Sequence, residues 1–171
     1  MNKTQTKKQL ASAKRYLKGI KNNRAILKYV DYQEGYQVFT DSFTAYRMKN
    51  HINELPYHNN ELGNYPNLKR FIPNYKECEN VTKLNDLNEG LLLAGKMKED
   101  KVKTIKSKEY AYYIVSDYDK ACINPLLLKQ VLDILQDNID NIEVYFLGSL
   151  RPVLFKNSRG DEAIIMPIRF E

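Results

Sequence analysis

The chain has 171 residues, 43% hydrophobic and 28% charged, an ordinary composition for a soluble globular protein. Domains commonly run about 100–150 residues, so this length holds one domain with an insertion or two very small ones. No apolar run reaches the roughly 18 residues of a membrane-spanning helix, and Met1–Lys8 carries charge with no apolar segment behind it, which argues against a secretory signal and makes the cytoplasm the expected compartment.

Residues 5–21 read as a helix, because Leu10, Ala13, Leu17 and Ile20 recur at spacings of three and four. Lys7, Lys14, Lys18 and Lys21 share the opposite face, with Lys8 and Arg15 beside them, and no acid occurs before residue 31. The bland reading of these six cations is a solvated helix face. The sharper one, favoured by the formal net charge of +6, is a surface that tracks nucleic-acid phosphates through Lys7, Lys14, Arg15, Lys18 and Lys21. Asn22-Asn23 supplies a plausible helix end.

Three strands are expected next, over 25–32, 36–40 and 43–49, with Gly35 giving the first hairpin its positive φ. Residues 50–80, rich in Asn and interrupted by Pro, read as an extended loop or insertion in which Tyr65–Pro73 forms a rigid strap. Residues 85–98 carry Leu87, Leu91, Leu92 and Ala94 at helical spacing, weakened by Gly90 and Gly95. Strands are expected over 101–106, 110–116 and 118–123. Asn124-Pro125 then opens a second strong helix to about Asn138, and strands over 142–147, 151–156 and 162–169 complete the chain. Helix, strands, helix, strands is the order of an α+β fold, with two main helices packed on antiparallel sheet and an inserted loop and helix region at about 50–100.

Recognisable reaction chemistry is missing from the sequence. The seven glycines form no phosphate-binding loop, and there is no G-x-S-x-G elbow. Cys78 and Cys122 are expected as free thiols, and His51 and His58 as solvated loop residues. Asp117 and Asp119, flanking Tyr118, fall short of a metal constellation and read as a solvated turn. Tyr110, Tyr112 and Tyr113 have the chemistry to stack bases, but tyrosines in strands more often pack a sheet. No cofactor, no metal and no catalytic residue is expected.

The last twenty residues carry the most distinctive pattern. Leu150-Arg151-Pro152-Val153-Leu154-Phe155 and Ala163–Arg169 flank the turn Asn157-Ser158-Arg159-Gly160-Asp161, a hairpin that ends Met166-Pro167-Ile168-Arg169. This ending resembles the C-terminus of the bacterial DNA polymerase III beta subunit, the sliding clamp. Other segments resemble that family in the same order. Thr40-Asp41 stands at the start of its T-D-G-H-R-L segment, with Ser42–Tyr46 replacing the Gly-His step before Arg47-Met48. Tyr65-Pro66 through Ile72-Pro73 looks like its F-P-D-Y-x-x-V-I-P linker, and Ile142–Phe146 with Leu150-Arg151-Pro152 looks like the second half of its last domain.

The resemblance implies a clamp-like domain spanning residues 1–171. It implies a non-enzymatic DNA replication accessory protein that contacts double-stranded DNA without sequence preference, and a homo-oligomer. It also implies a pocket for short apolar peptides carried by replication proteins, lined by Arg47, Met48, Arg151, Met166, Pro167 and Ile168. Clamp subunits carry several such domains and this chain has room for little more than one, which suits a shortened phage- or mobile-element-type relative. The alternative is a clamp-mimicking protein that sequesters replication partners without binding DNA.

Overall fold

The computed structural model describes residues 3–21, 24–72, 74–75, 82–84, 87–105, 108–115, 119–146 and 148–169. Helix α1 spans Lys3–Gly19. It buries Ala13 and Leu17, as the periodicity predicts, with Ile20 just beyond its end; Leu10 is half-buried, and Tyr16, which the periodicity does not name, is buried too; the expected Asn22-Asn23 cap lies outside the described residues. The strand expected over 25–32 is corrected. Ala25–Lys28 is a single 3₁₀ turn, and only Asp31–Gln33 (β1) enters the sheet. Ile26 and Leu27 are adjacent and both buried, which a helical turn permits; in a half-exposed strand, neighbours would point to opposite faces. Glu34 and Gly35, with φ of 51° and 82°, then turn the chain into β2, Tyr36–Thr40, the double positive φ of a tight hairpin. Strand β3 covers Thr44–Met48.

The segment after β3 is drawn into the body of the protein. Ile52, Tyr65, Leu68 and Ile72 are buried. Gln33 staples the strap in place: its Nε2 donates to Pro66 O at 2.8 Å, and its Oε1 accepts from Leu68 N at 2.9 Å. His58, expected in solvent, is buried instead. Val30 N donates to Pro56 O and His58 N to Val30 O, so the backbone pairing carries the ring inward to 3.2 Å from Asp31 Oδ1.

Strand β4, Thr82–Leu84, precedes helix α2, Asn88–Glu99. No strand forms over 101–105, against expectation. Lys101 N bonds to Lys98 O and Val102 N to Met97 O, with Lys101 at φ 55°, so these residues close the helix. A separate hairpin pairs β5, Tyr112–Val115, with β6, Lys120–Ile123. Helix α3, Pro125–Leu135, starts where predicted, with the Asn124 side chain accepting from Leu126 N and Pro at the first turn. It ends at Leu135, three residues early, with Gln136 at φ 45° as its cap.

Strands β7 (Glu143–Phe146), β8 (Val153–Lys156) and β9 (Glu162–Ile165) complete a seven-stranded antiparallel sheet of order β1-β2-β3-β9-β8-β7-β4. The β3–β9 pairing, with Ala45 opposite Ile164, joins the two ends of the chain at the centre of the sheet. Three helices pack against this sheet, an α+β fold. Helix α3 lies between α1 and α2. Gln9 Nε2 donates to Ile134 O at 2.8 Å, and the Tyr16 hydroxyl lies 3.0 Å from Thr44 Oγ1, tying α1 to α3 and to β3. Phe39 and Tyr46 stack in the core at 4.7 Å. Among the described residues, no helix is long and apolar enough to cross a membrane.

Candidate functional site

The turn between β2 and β3 is organised by Asp41. Its Oδ1 accepts from Phe43 N at 2.9 Å, Thr44 N at 2.7 Å and the Thr44 hydroxyl at 3.1 Å. Thr40 Oγ1 adds a bond to Thr44 O at 2.6 Å. This polar knot holds Ser42 at φ 81° and turns the Phe43 ring outward, where 65% of the residue is exposed. Exposure of a large aromatic is a cost that the knot imposes locally.

Opposite Phe43 the last strand runs out. Met166 N still donates to Phe43 O at 2.9 Å, one residue beyond β9. Pro167 has no donor, so the pairing stops there, and Ile168 N turns to Cys122 O on β6 at 2.7 Å. Met166 is left 38% exposed. The third wall is the strap, where Asn67 Oδ1 caps the turn Leu68–Arg70 through Lys69 N and sets Phe71 at the surface, 52% exposed.

Phe43, Phe71 and Met166 surround a cavity of about 140 Å³, with Leu27, Ala45, Leu68 and Ile164 among its lining residues. Isolated apolar residues at a surface need no explanation, but here three large ones surround a single apolar cavity. A cavity of roughly 150 Å³ accepts a benzene ring, so this one has room for one bulky apolar group.

Of the six residues expected to dock peptides, the structure brings Met166 to this cavity. Met48 is fully buried in the core and lies outside it, because β3 sits inside the sheet between β2 and β9. Arg47 is held by Glu162, to which its Nε donates at 2.8 Å, and lies over the Tyr36 ring. It lines a neighbouring open groove that shares Leu68 with the cavity. Pro167 and Ile168 are half-buried beyond the strand end and do not line the cavity. The strand expected over 162–169 is therefore corrected: β9 ends at Ile165, before Met166 and Ile168. Arg151 is exposed in the turn between β7 and β8, away from the lining residues. Phe43, Leu68 and Phe71 are site residues that the sequence reading does not pick out, although it does pick out the segments that carry them.

The basic face of α1 divides in two. Lys7, Lys14, Lys18 and Lys21 are all exposed along one stripe. Lys14 is 3.1 Å from Glu54, an exposed pair of the kind worth at most about 1 kcal/mol, so it does not neutralise the stripe. Lys14 and Lys18 border a shallow depression with Lys28 and Pro56. Arg15, about a quarter turn away, faces instead the groove between α1 and α3. On α3, Lys129 is bound to Asp133 at 2.8 Å.

Burial pushes the Cys122 thiol up to about 11, which leaves it protonated and unreactive at neutral pH; Cys78 and Asp117 lie outside the described residues. Among the described residues no group of His, Cys, Asp and Glu is arranged to hold a metal.

No family model matches the chain, and no curated protein matches it. Among solved structures it is similar to the DNA polymerase III beta subunit from Thermotoga maritima, at 17% identity and a TM-score of 0.46, over 80% of this chain. The chain spans 42% of the length of that structure.

Proposed function

We propose that this chain is a non-enzymatic, clamp-like accessory protein of DNA replication, built as a single domain, that docks short apolar peptides of replication proteins at the Phe43–Phe71–Met166 cavity. One observation carries the reading. Three segments whose sequences resemble the clamp family, at 40–48, 65–73 and 166–169, are far apart in the chain, yet each contributes a wall of the same cavity. Ser42 lies within the segment that replaces the family's Gly-His step, and it takes the positive φ that glycine tolerates best.

The occupant that suits this surface is an extended peptide with Leu or Phe anchors. The cavity is apolar, is sized for one bulky side chain, and sits where the backbone pairing of the last strand stops. Met166 is flexible and polarizable, which suits a site that accepts varied apolar anchors. Binding in the micromolar range, on the order of −8 kcal/mol, is expected. Replacing Phe43 and Met166 together by alanine should weaken it by at least about 1–2 kcal/mol, read by fluorescence anisotropy of a labelled peptide. Both side chains are substantially exposed, so the fold should survive. Equal affinity of the double variant and the parent would remove the cavity from the account.

The lysine stripe of α1 is the second part of the proposal. Contact with duplex phosphates should be weak, independent of sequence and steeply salt-dependent, since released counterions drive it. Changing Lys14 and Lys18 to Glu should nearly abolish duplex binding at low salt while leaving peptide binding intact. Encirclement of DNA would need several copies of a chain this size, closed by cyclic symmetry. The Lys129–Asp133 pair makes the helix layer less uniformly basic and favours the second reading, a clamp mimic that sequesters partners. That reading predicts peptide binding with no duplex binding by the parent protein.

A further inference from the structure

Three exposed rings gather beside the edge of the sheet, and they come from three places in the chain. Tyr32 is the middle residue of β1, between Asp31 and Gln33, whose side chains turn to His58 and to the strap. Strand alternation sends Tyr32 to the other face, where it is 48% exposed. Its ring lies 4.9 Å from that of His51 and 5.2 Å from that of Tyr57, and the two tyrosine planes differ by 31°. His51 is exposed and Tyr57 is 55% exposed. Neither tyrosine belongs to the buried core.

The backbone on either side of this row is fixed. Gln37, opposite Tyr32 in the β1–β2 register, donates to Ile52 O at 3.1 Å and accepts from Ile52 N at 2.8 Å, which holds the residue after His51. Val30 N donates to Pro56 O at 2.8 Å, and Val30 O accepts from His58 N at 2.9 Å, which holds both neighbours of Tyr57. Rings set in this way are preorganised, so little ordering remains when a further flat ring joins them. The tyrosines that the sequence singles out for base stacking are placed otherwise. Tyr112 is buried, and the Tyr110 hydroxyl donates to Asp100.

Positive charge adjoins the row. Pro56, next to Tyr57 in the chain, also walls the depression bordered by Lys14, Lys18 and Lys28. Lys14 is paired with Glu54, but Lys18 and Lys28 form no ion pair among the described residues. Of the carboxylates on and beside β1, Glu34 is held by Lys69 and Asp31 lies 3.2 Å from His58. Open aromatic faces next to unpaired cations match a strand whose bases are free to stack and whose phosphates follow the lysines. A duplex offers the phosphates but keeps its bases inside its own stack.

We propose that the His51–Tyr32–Tyr57 row binds single-stranded nucleic acid, with bases on the rings and the backbone running over Lys18 and Lys28. The proposal shares its lysines with the duplex contact proposed above; the rings are its own.

Fluorescence anisotropy at low salt tests it on the full chain with three labelled probes: a short oligothymidine, an abasic deoxyribose-phosphate chain of equal length, and a duplex. The parent should bind the oligothymidine at least about tenfold more tightly than the abasic chain. Tyr32→Ala with Tyr57→Ala should weaken oligothymidine binding at least about tenfold, the scale of one base–aromatic stack, and leave duplex binding unchanged. Tyr32→Phe with Tyr57→Phe should keep oligothymidine binding, because the rings remain. Both positions are exposed, and thermal unfolding checks that the fold is kept; should the alanine variant not fold, the abasic comparison decides alone. This pattern without any duplex binding by the parent would remove the duplex contact and leave the ring site standing. Equal binding of oligothymidine and abasic chain by the parent, or equal oligothymidine binding by the parent and a folded alanine variant, would overturn the ring site whatever the duplex does. No oligothymidine binding by the parent would overturn it as well.

Discussion

Asp161→Ala is expected to cost about 3 kcal/mol or more of folding stability. The carboxylate is fully buried, and Asn50 N donates to its Oδ1 at 2.8 Å while Asn157 Nδ2 donates to its Oδ2 at 3.0 Å. Arg159 Nε, at 3.6 Å, is too far for a hydrogen bond but adds charge attraction. The same turn closes α3: Asn157 Nδ2 also reaches Leu135 O, and Arg159 Nη1 donates to Gln136 O at 2.9 Å. Removing the carboxylate would take the acceptor from Asn50 N and from one hydrogen of the buried Asn157 amide, and loosen the end of α3. Asp161→Asn should recover only part of the loss, because an amide nitrogen would face at least one donor. Urea denaturation of the three proteins measures this; a loss below about 1 kcal/mol for the alanine variant would show that the turn does not hold the fold together.

Gly90→Val should destabilise by about 1–3 kcal/mol, and Gly90→Ala should also lower stability. In a solvated helix the alanine change would stabilise by roughly 1 kcal/mol. At this position, however, a Cβ would overlap Leu128 Cδ2 on α3 and approach the Tyr112 ring of β5 to 2.9 Å. The absent side chain lets α2 lie close against α3 and the β5–β6 hairpin. A thermal midpoint above that of the parent for Gly90→Ala would mean that Leu128 and Tyr112 yield without cost. Gly95 provides the contrast, since a Cβ there would meet nothing within 4 Å: Gly95→Ala should follow the helix preference and stabilise.

The strong helices are legible in the sequence because their signals are local. Asn124-Pro125 reads as a start and is one, and the spacing of Leu10, Ala13 and Leu17 gives α1 its buried face. Helix ends are less so. Lys101 and Gln136 adopt the left-handed conformation usually marked by glycine or asparagine, so nothing in their identity announces a stop. In Gln136 the cause is remote, since Arg159 binds its carbonyl from 23 positions away. The polar surroundings of His58 suggest solvent, whereas the pairing of Val30 with Pro56 and His58 that buries it is non-local. The cavity is half legible. Its three segments stand out in the sequence, but Met48 reads as a lining residue and Phe43 does not. Strand β3 is buried on both faces, so alternation along it gives no clue to which residues reach the surface.

Phe43, Phe71 and Met166 are proposed to form the mouth of a peptide-docking cavity. Methyl-resolved NMR of the full chain, titrated with a short peptide carrying Leu and Phe anchors, tests it most directly. The account predicts saturable shifts at Leu27, Ala45, Leu68, Ile164 and Met166, all cavity-lining residues, with Leu92 and Leu150, exposed elsewhere, unmoved. Shifts centred on Leu92 or Leu150, or no shift at any cavity methyl as the peptide reaches the millimolar range, would contradict it.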